Sequence, residues 1–341
     1  MNEVAARPDI RSDPPAVKAS MVEQRVPTSI TASDGRVAAM RRSTVPEALP
    51  CNVGDRGFNR DYHIEVISNA ARLSEHWQAW TELASDALEP NVFFEPELLL
   101  PAIKHLLADQ DLAILLISAT DRATPGKPAV WCGLFPFVRR HKFRGFPIRS
   151  LQLINHDYCF LRNPLVRGDD AARILDLFCR WIADESDAAV VELADQTADG
   201  PYGRLLIEAL SRSGLASMVN AIKARALLVR KPDADLCIRE SISAGKIKEL
   251  RRQERRLADA GPLSYELIGE EGDIDRALEE FLALENSGWK GKQRTSIACL
   301  PDHRAFFESM ARALFAQGRL RMLFLRLWGQ RRRREVQPAR G

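Results

Sequence analysis

The chain has 341 residues, 45% of them hydrophobic and 28% charged, with a net charge of only +3. That leaves room for two domains with sizeable cores, and gives no whole-chain charge argument for nucleic-acid or membrane binding. The six scattered cysteines form no C-x-x-C pair and lie mostly in apolar surroundings. They read as buried thiols in a reducing compartment, not as disulfides or a zinc site, and no metal site is expected. No apolar run reaches transmembrane length and no charged-then-apolar start suggests a signal peptide, so the cytoplasm is the expected location.

Residues 1–60 are rich in Pro, Ser, Arg, Asp and Ala with isolated apolar residues, the composition of a disordered tail. Order is expected from Tyr62. "YHIEVI" alternates as a strand; "ARLSEHWQAWTELASDA" has helical spacing, as does "PELLLPAIKHLLA", with Pro101 awkwardly placed. "LAILLISA" and "AVWCGLFPFVRR" read as strands joined by a turn at "TPGKP", and "IRSLQLIN" as a third. A helix capped by Asp169 or Asp170, a buried strand in "AAVVELAD", a helix stopped by Gly214 and a strand in "ARALLVR" complete a first unit over 61–232. A mixed sheet with helices on both faces follows from that order.

The pattern then starts again over 233–327. A basic helix capped by Ser241 or Ser243 ends at Gly261; "LSYELI" is a strand; two helices follow, the second closed by Gly318; "LRMLFLRL" is a strand. This β-α-α-β order repeats the opening of the first unit, and internal repetition is a stronger fold clue than a single motif. After it, "LWGQRRRREVQPARG" shows no strand alternation.

The most distinctive stretch is "LALENSGWKGKQRTS". Gly288 and Gly291 permit positive φ and close approach of a ligand; Trp289 offers a flat apolar face; Lys290 offers a charge for a phosphate or carboxylate. The plainer alternative is a helix C-cap and a tryptophan plugging the core. Over 246–256, Lys246, Lys248, Arg251, Arg252, Arg255 and Arg256 stand opposite a narrow stripe of Ile247, Leu250 and Leu257. This is either a solvated helix face or an anion site, with Arg251, Arg252 and Arg255 as its candidates. The six histidines show no H-x-x-x-H spacing; His156-Asp157 falls in the expected cleft of the first domain, but a lone His-Asp pair is weak evidence for a site.

"FLALENSGWKGKQRTS" with "FFESMARALFAQGRLRMLFLRL", "IKELRRQERRLADAG" and "NVFFEPELLLPA" resembles the CelD/BcsL-like (BioF2-like) acetyltransferases of the tandem GNAT fold, over roughly 61–327. Gly288, Trp289, Lys290, Gly291 and Thr295 match the motif; Arg294 stands where the family has glycine, and Ser296 where it has alanine. The resemblance implies an α/β (α+β) tandem GNAT architecture, acetyl-CoA or another acyl-CoA as cofactor, and transfer to an amine or hydroxyl of a small-molecule or saccharide-linked acceptor. It also implies a role in cellulose, exopolysaccharide or envelope synthesis, with association with a membrane or envelope-synthesis complex left open. No DNA partner is expected and RNA is disfavoured. Glu285 is the candidate general base, and Gly288, Trp289, Lys290, Gly291 and Thr295 the substrate-binding set.

In that fold the cofactor pyrophosphate rests on N–H groups at a strand-to-helix loop. The corresponding first-unit stretch, 155–172, lacks the glycine pattern and carries Asp169 and Asp170, so the first unit is expected to be a degenerate copy without a cofactor site. In the second, only Gly329 keeps register past Leu327. Residues 328–341 read as a frameshift or premature-stop remnant, which makes the second copy incomplete, the transferase impaired, and Leu320, Met322, Phe324 and Leu327 neighbours of a missing strand. The alternative function is a non-catalytic binding or scaffold protein using the first domain and the basic helix.

Overall fold

The computed structural model describes residues 60–327 except 125, 225–230 and 270. The expected N-terminal tail, the strand at 224–230 and the basic tail at 328–341 therefore lie wholly or mainly outside the described residues.

Strand β1 (Arg60–Ile67) leads into α1 (Ala70–Ser74) and α2 (Trp77–Ser85), then α3 (Pro96–His105). One helix was expected where α1 and α2 stand. His76 leaves helical backbone (φ −108, ψ 28), and periodicity does not register an interruption that short. Helix α3 keeps Pro101 in its interior, where the N–H that would bond the Glu97 carbonyl is lost. Strands β2 (Leu112–Asp121), β3 (Val130–Arg140) and β4 (Ser150–Leu153) continue antiparallel from β1. After β5 (Leu165–Val166) come α4 (Ala171–Asp184), β6 (Val190–Glu192), which pairs parallel to β4, and α5 (Pro201–Ser213), which ends at left-handed Gly214. The sheet order is β1-β2-β3-β4-β6. The "AAVVELAD" strand is shorter than expected and only half-buried.

Strand alternation divides the core in two. Ala113, Leu115 and Ile117 of β2 face α4 and α5, where Phe178 stacks on Phe135 with ring centroids 4.3 Å apart. Ile114 and Leu116 face α1–α3, against Trp80, Leu83 and Leu99. Helices thus cover both faces, and β2 is buried nearly throughout. Each such side chain removed from water contributes roughly 1.5–3 kcal/mol.

One irregularity positions everything that follows. β4 and β5 both pair with β3, at Phe137–Arg140 and at Gly133–Leu134. They act as one strand interrupted by a detour, residues 154–164. Buried polar side chains hold the detour. Asn91 Nδ2 donates to the Leu161 and Asn163 carbonyls (3.2 and 2.7 Å). Asn163 donates to Glu89 Oε2 (2.6 Å) and accepts from the Thr197 N–H (2.9 Å), while Glu89 Oε1 accepts from the Tyr202 N–H (2.9 Å).

The second half holds α6 (Ala234–Ser241), which the sequence reading missed, and α7 (Ala244–Ala258), whose Ser243 cap accepts from the Lys246 N–H at 3.4 Å. Next come β7 (Leu263–Ile268), α8 (Ile274–Ser287), α9 (Trp289–Lys292), α10 (Pro301–Ala316) and β8 (Met322–Leu327), which pairs antiparallel with β7. Ile268, Ala277 and Phe324 form its core with Phe281, Phe315 and Met322. So Phe324 and Met322, expected to lie bare, pack inward, and Leu327 stays exposed. Leu267, Leu323 and Leu325 are exposed on the sheet's other face. The cysteines also divide: Cys132, Cys159 and Cys179 are buried as expected, Cys237 is half-buried, and Cys299 is exposed.

Candidate functional site

The G-W-K-G stretch is a tight loop fastened to the end of α8. Glu285, with its side chain 10% exposed, has both oxygens engaged. Oε1 accepts from Lys290 Nζ at 2.8 Å and Oε2 from the Ile297 N–H at 2.9 Å. Asn286 Oδ1 accepts from buried Ser296 Oγ (2.8 Å), and Cys299 Sγ lies 3.3 Å from it. Thr295 donates its N–H to the Lys290 carbonyl (2.9 Å) and is exposed.

The glycines serve a different purpose from the one expected. Gly288 is extended (φ −85, ψ −161), and Gly291 is not among the positive-φ glycines. A Cβ on Gly291 would stand 1.7 Å from the Asn286 carbonyl oxygen, so this position needs space and not torsional freedom. The left-handed residue is Arg294 (φ 56), at the position where the resembling family carries glycine. A side chain there costs roughly 1 kcal/mol. Arg294→Gly should raise stability by up to about 1 kcal/mol, readable as a higher urea midpoint at unchanged m. Trp289 does not plug the core: it is 66% exposed.

The detour of the first half meets this region through α10. Tyr158 Oη lies 2.8 Å from His303 Nδ1, and the Tyr158 ring stacks on Phe306. Burial raises the Tyr158 phenol above its ordinary value, with Asp157 and Glu285 adding to the shift; the phenol therefore stays a donor. His156 Nδ1 accepts from the Tyr158 N–H (3.3 Å), and its ring meets Phe306 edge-on at 5.5 Å. No sequence spacing could have joined Tyr158 to His303. The only signal was a polar, aromatic stretch between two strand-like segments.

Arg251, Arg252 and Arg255 lie elsewhere. Arg252 is paired with Glu249 (2.6 and 2.7 Å), and this bond depresses the exposed Glu249 carboxyl to about 2. Arg251 lines a groove of about 720 Å³ between α6, α7 and the β7–β8 sheet, together with Ile238, Leu250 and Tyr265; no residue of 285–299 lines it. Among the described residues, Lys246, Lys248, Arg251, Arg255 and Arg256 have no ion-pair partner.

A thioester cofactor's pyrophosphate needs free N–H groups at a helix start without a competing anion. At α4, Asp170 precedes the first turn. It holds the expected cap position but makes no side-chain bond to that turn; its carboxylate, 1% exposed, pairs instead with Arg60. A carboxylate there repels phosphate. Asp233 and Asp273 occupy the starts of α6 and α8 differently: their carboxylates accept from the first-turn N–H groups of Asp235 and Leu236, and of Arg276. The starts of α4, α6 and α8 therefore do not offer a pyrophosphate cradle, and no catalytic step is routed through them.

No curated protein and no solved structure matches the chain. Residues 244–331 match the family model of the acetyltransferase (GNAT) domain, and the sheets flanked by helices are consistent with that fold.

Proposed function

We propose that the chain is an acyltransferase of tandem GNAT architecture that moves an acyl group from acyl-CoA to an amine or hydroxyl acceptor. The family match over 244–331 carries this reading. Two features support the tandem arrangement. Each half contains a strand, a helical excursion and an antiparallel return strand, β1 to β2 and β7 to β8 (the second after α6 and α7), and the later helices of the two excursions, α3 and α10, pack on each other. In this reading the first half is a cofactor-free partner whose detour forms the acceptor-side wall. Glu285 fastens the 288–297 loop, and exposed Trp289 offers the apolar face for the acceptor. A cellulose, exopolysaccharide or envelope acceptor remains the proposal drawn from the family resemblance.

The test is acetyl-CoA binding by calorimetry, together with thiol release over a panel of amine and hydroxyl acceptors, on the full chain. Micromolar binding and acceptor-dependent thiol release are expected of the transferase. Absence of both would overturn it in favour of a binding or scaffold protein, the reading that the unpaired cations of α7 support.

A further inference from the structure

Three of the six histidines lie on the seam between α10 and the first half. His105 Nε2, near the end of α3, is 3.3 Å from Ser309 Oγ. His303 meets Tyr158, and His156 meets Phe306. Beside the buried Phe306 ring, the seam carries polar pairs. Glu95 pairs with Arg319 at 2.5 Å, and buried Glu97 accepts from Gln317.

We propose that this seam is an acid-sensitive latch, in which the neutral His156 imidazole keeps α10 seated on the 154–164 detour and its protonation releases it. His156 is the decisive group. Its Nδ1 accepts a hydrogen bond from the Tyr158 N–H, so the neutral ring carries its proton on Nε2. Nε2 is fully buried without a hydrogen-bond partner. A second proton must go to Nδ1, where it faces an N–H donor and breaks that bond. His105 is less strained by protonation, because the Ser309 hydroxyl opposite it can accept as well as donate.

The charges around them set the direction. Burial drives His156 down to about 4 from its ordinary 6.5; Arg162 of the detour and His303 of α10 add to this, and Asp157 opposes it. Burial also lowers His105, with Lys104 adding and Asp302 of α10 opposing. Facing His303 is Tyr158, whose phenol Glu285, at the end of α8, also raises. A histidine depressed when docked and ordinary when released favours docking fully above its released value. That contribution falls as pH drops below 6.5 and levels off near 4, where the docked ring also takes a proton. From His156 alone, undocking at pH 5 is favoured about 30-fold more than at pH 7.5.

The experiment is hydrogen exchange on the full chain, comparing protection factors at those two pH values. Amides of α10 should lose protection by about 30-fold at the lower pH, while β2 and α4 keep theirs. His156→Phe keeps the ring and removes the titration, so α10 should then stay protected. His303→Gln keeps a partner for Tyr158 and should retain most of the acid response; it carries the test if His156→Phe does not fold. Equal protection of α10 at both pH values, loss in β2 and α4 to the same extent, or an undiminished acid response in His156→Phe would each overturn the latch.

Discussion

Gly291→Ala should abolish any activity that depends on the 285–299 loop, and it should destabilise the second half by more than about 4 kcal/mol. The obstruction is backbone: the new Cβ would meet the Asn286 carbonyl oxygen at 1.7 Å and its carbon at 2.6 Å. No rotamer relieves that contact, so α9 must move away from the end of α8. The Lys290–Glu285 pair and the Thr295 N–H bond to the Lys290 carbonyl would move with it. Gly288→Ala serves as the control. Its Cβ would find only the Glu285 carbonyl oxygen, at an ordinary 3.6 Å, and its φ is one that alanine adopts freely. Chemical denaturation should separate the two variants cleanly; comparable midpoints would mean that α9 is not seated as described.

Asn91→Ala should cost about 3–4 kcal/mol, chiefly by leaving buried carbonyls unpaired. Asn91 is 1% exposed and makes three bonds. It donates to the carbonyls of Leu161 and Asn163, and its Oδ1 accepts from the Phe93 N–H at 3.1 Å. Leu161 and Asn163 belong to the detour that carries His156 and Tyr158. Faster hydrogen exchange across 154–164, with α4 still protected, is the expected pattern. Uniform loss of protection across the first half would instead make Asn91 a general core residue.

Much of the fold was legible because strand and helix periods differ. Ala113, Leu115 and Ile117 alternate with Leu112, Ile114 and Leu116, and Gly214 and Gly318 end their helices at φ 69 and 66, as their positions suggested. The β-α-α-β repeat was visible for the same reason. What escaped was whatever depends on residues distant in sequence. β5 is two residues long and exists only because β3 extends past β4. Helix α6 buries no residue, so its apolar positions make a weak signal, although Asp233 caps it as a sequence reader would wish. At the loop, motif spacing singled out Gly291 but not its reason, since the clash with Asn286 is set by how α9 folds back on α8. Asp170 was recognised as hostile to phosphate, but not as the partner of Arg60.

The fastening of the detour also imposes an order of assembly. Glu89 and Asn163 complete their bonds only with the N–H groups of Tyr202 and Thr197, at the start of α5. The surface that receives α10 is therefore finished by residues some forty positions further along the chain than the detour itself, after β6 has closed its parallel, non-local pairing with β4. During synthesis, the second half emerges when that landing surface has only just become available. A lesion in the 89–91 turn or at residues 197–202 would thus present itself as a failure of the later half to dock, far from the altered residue.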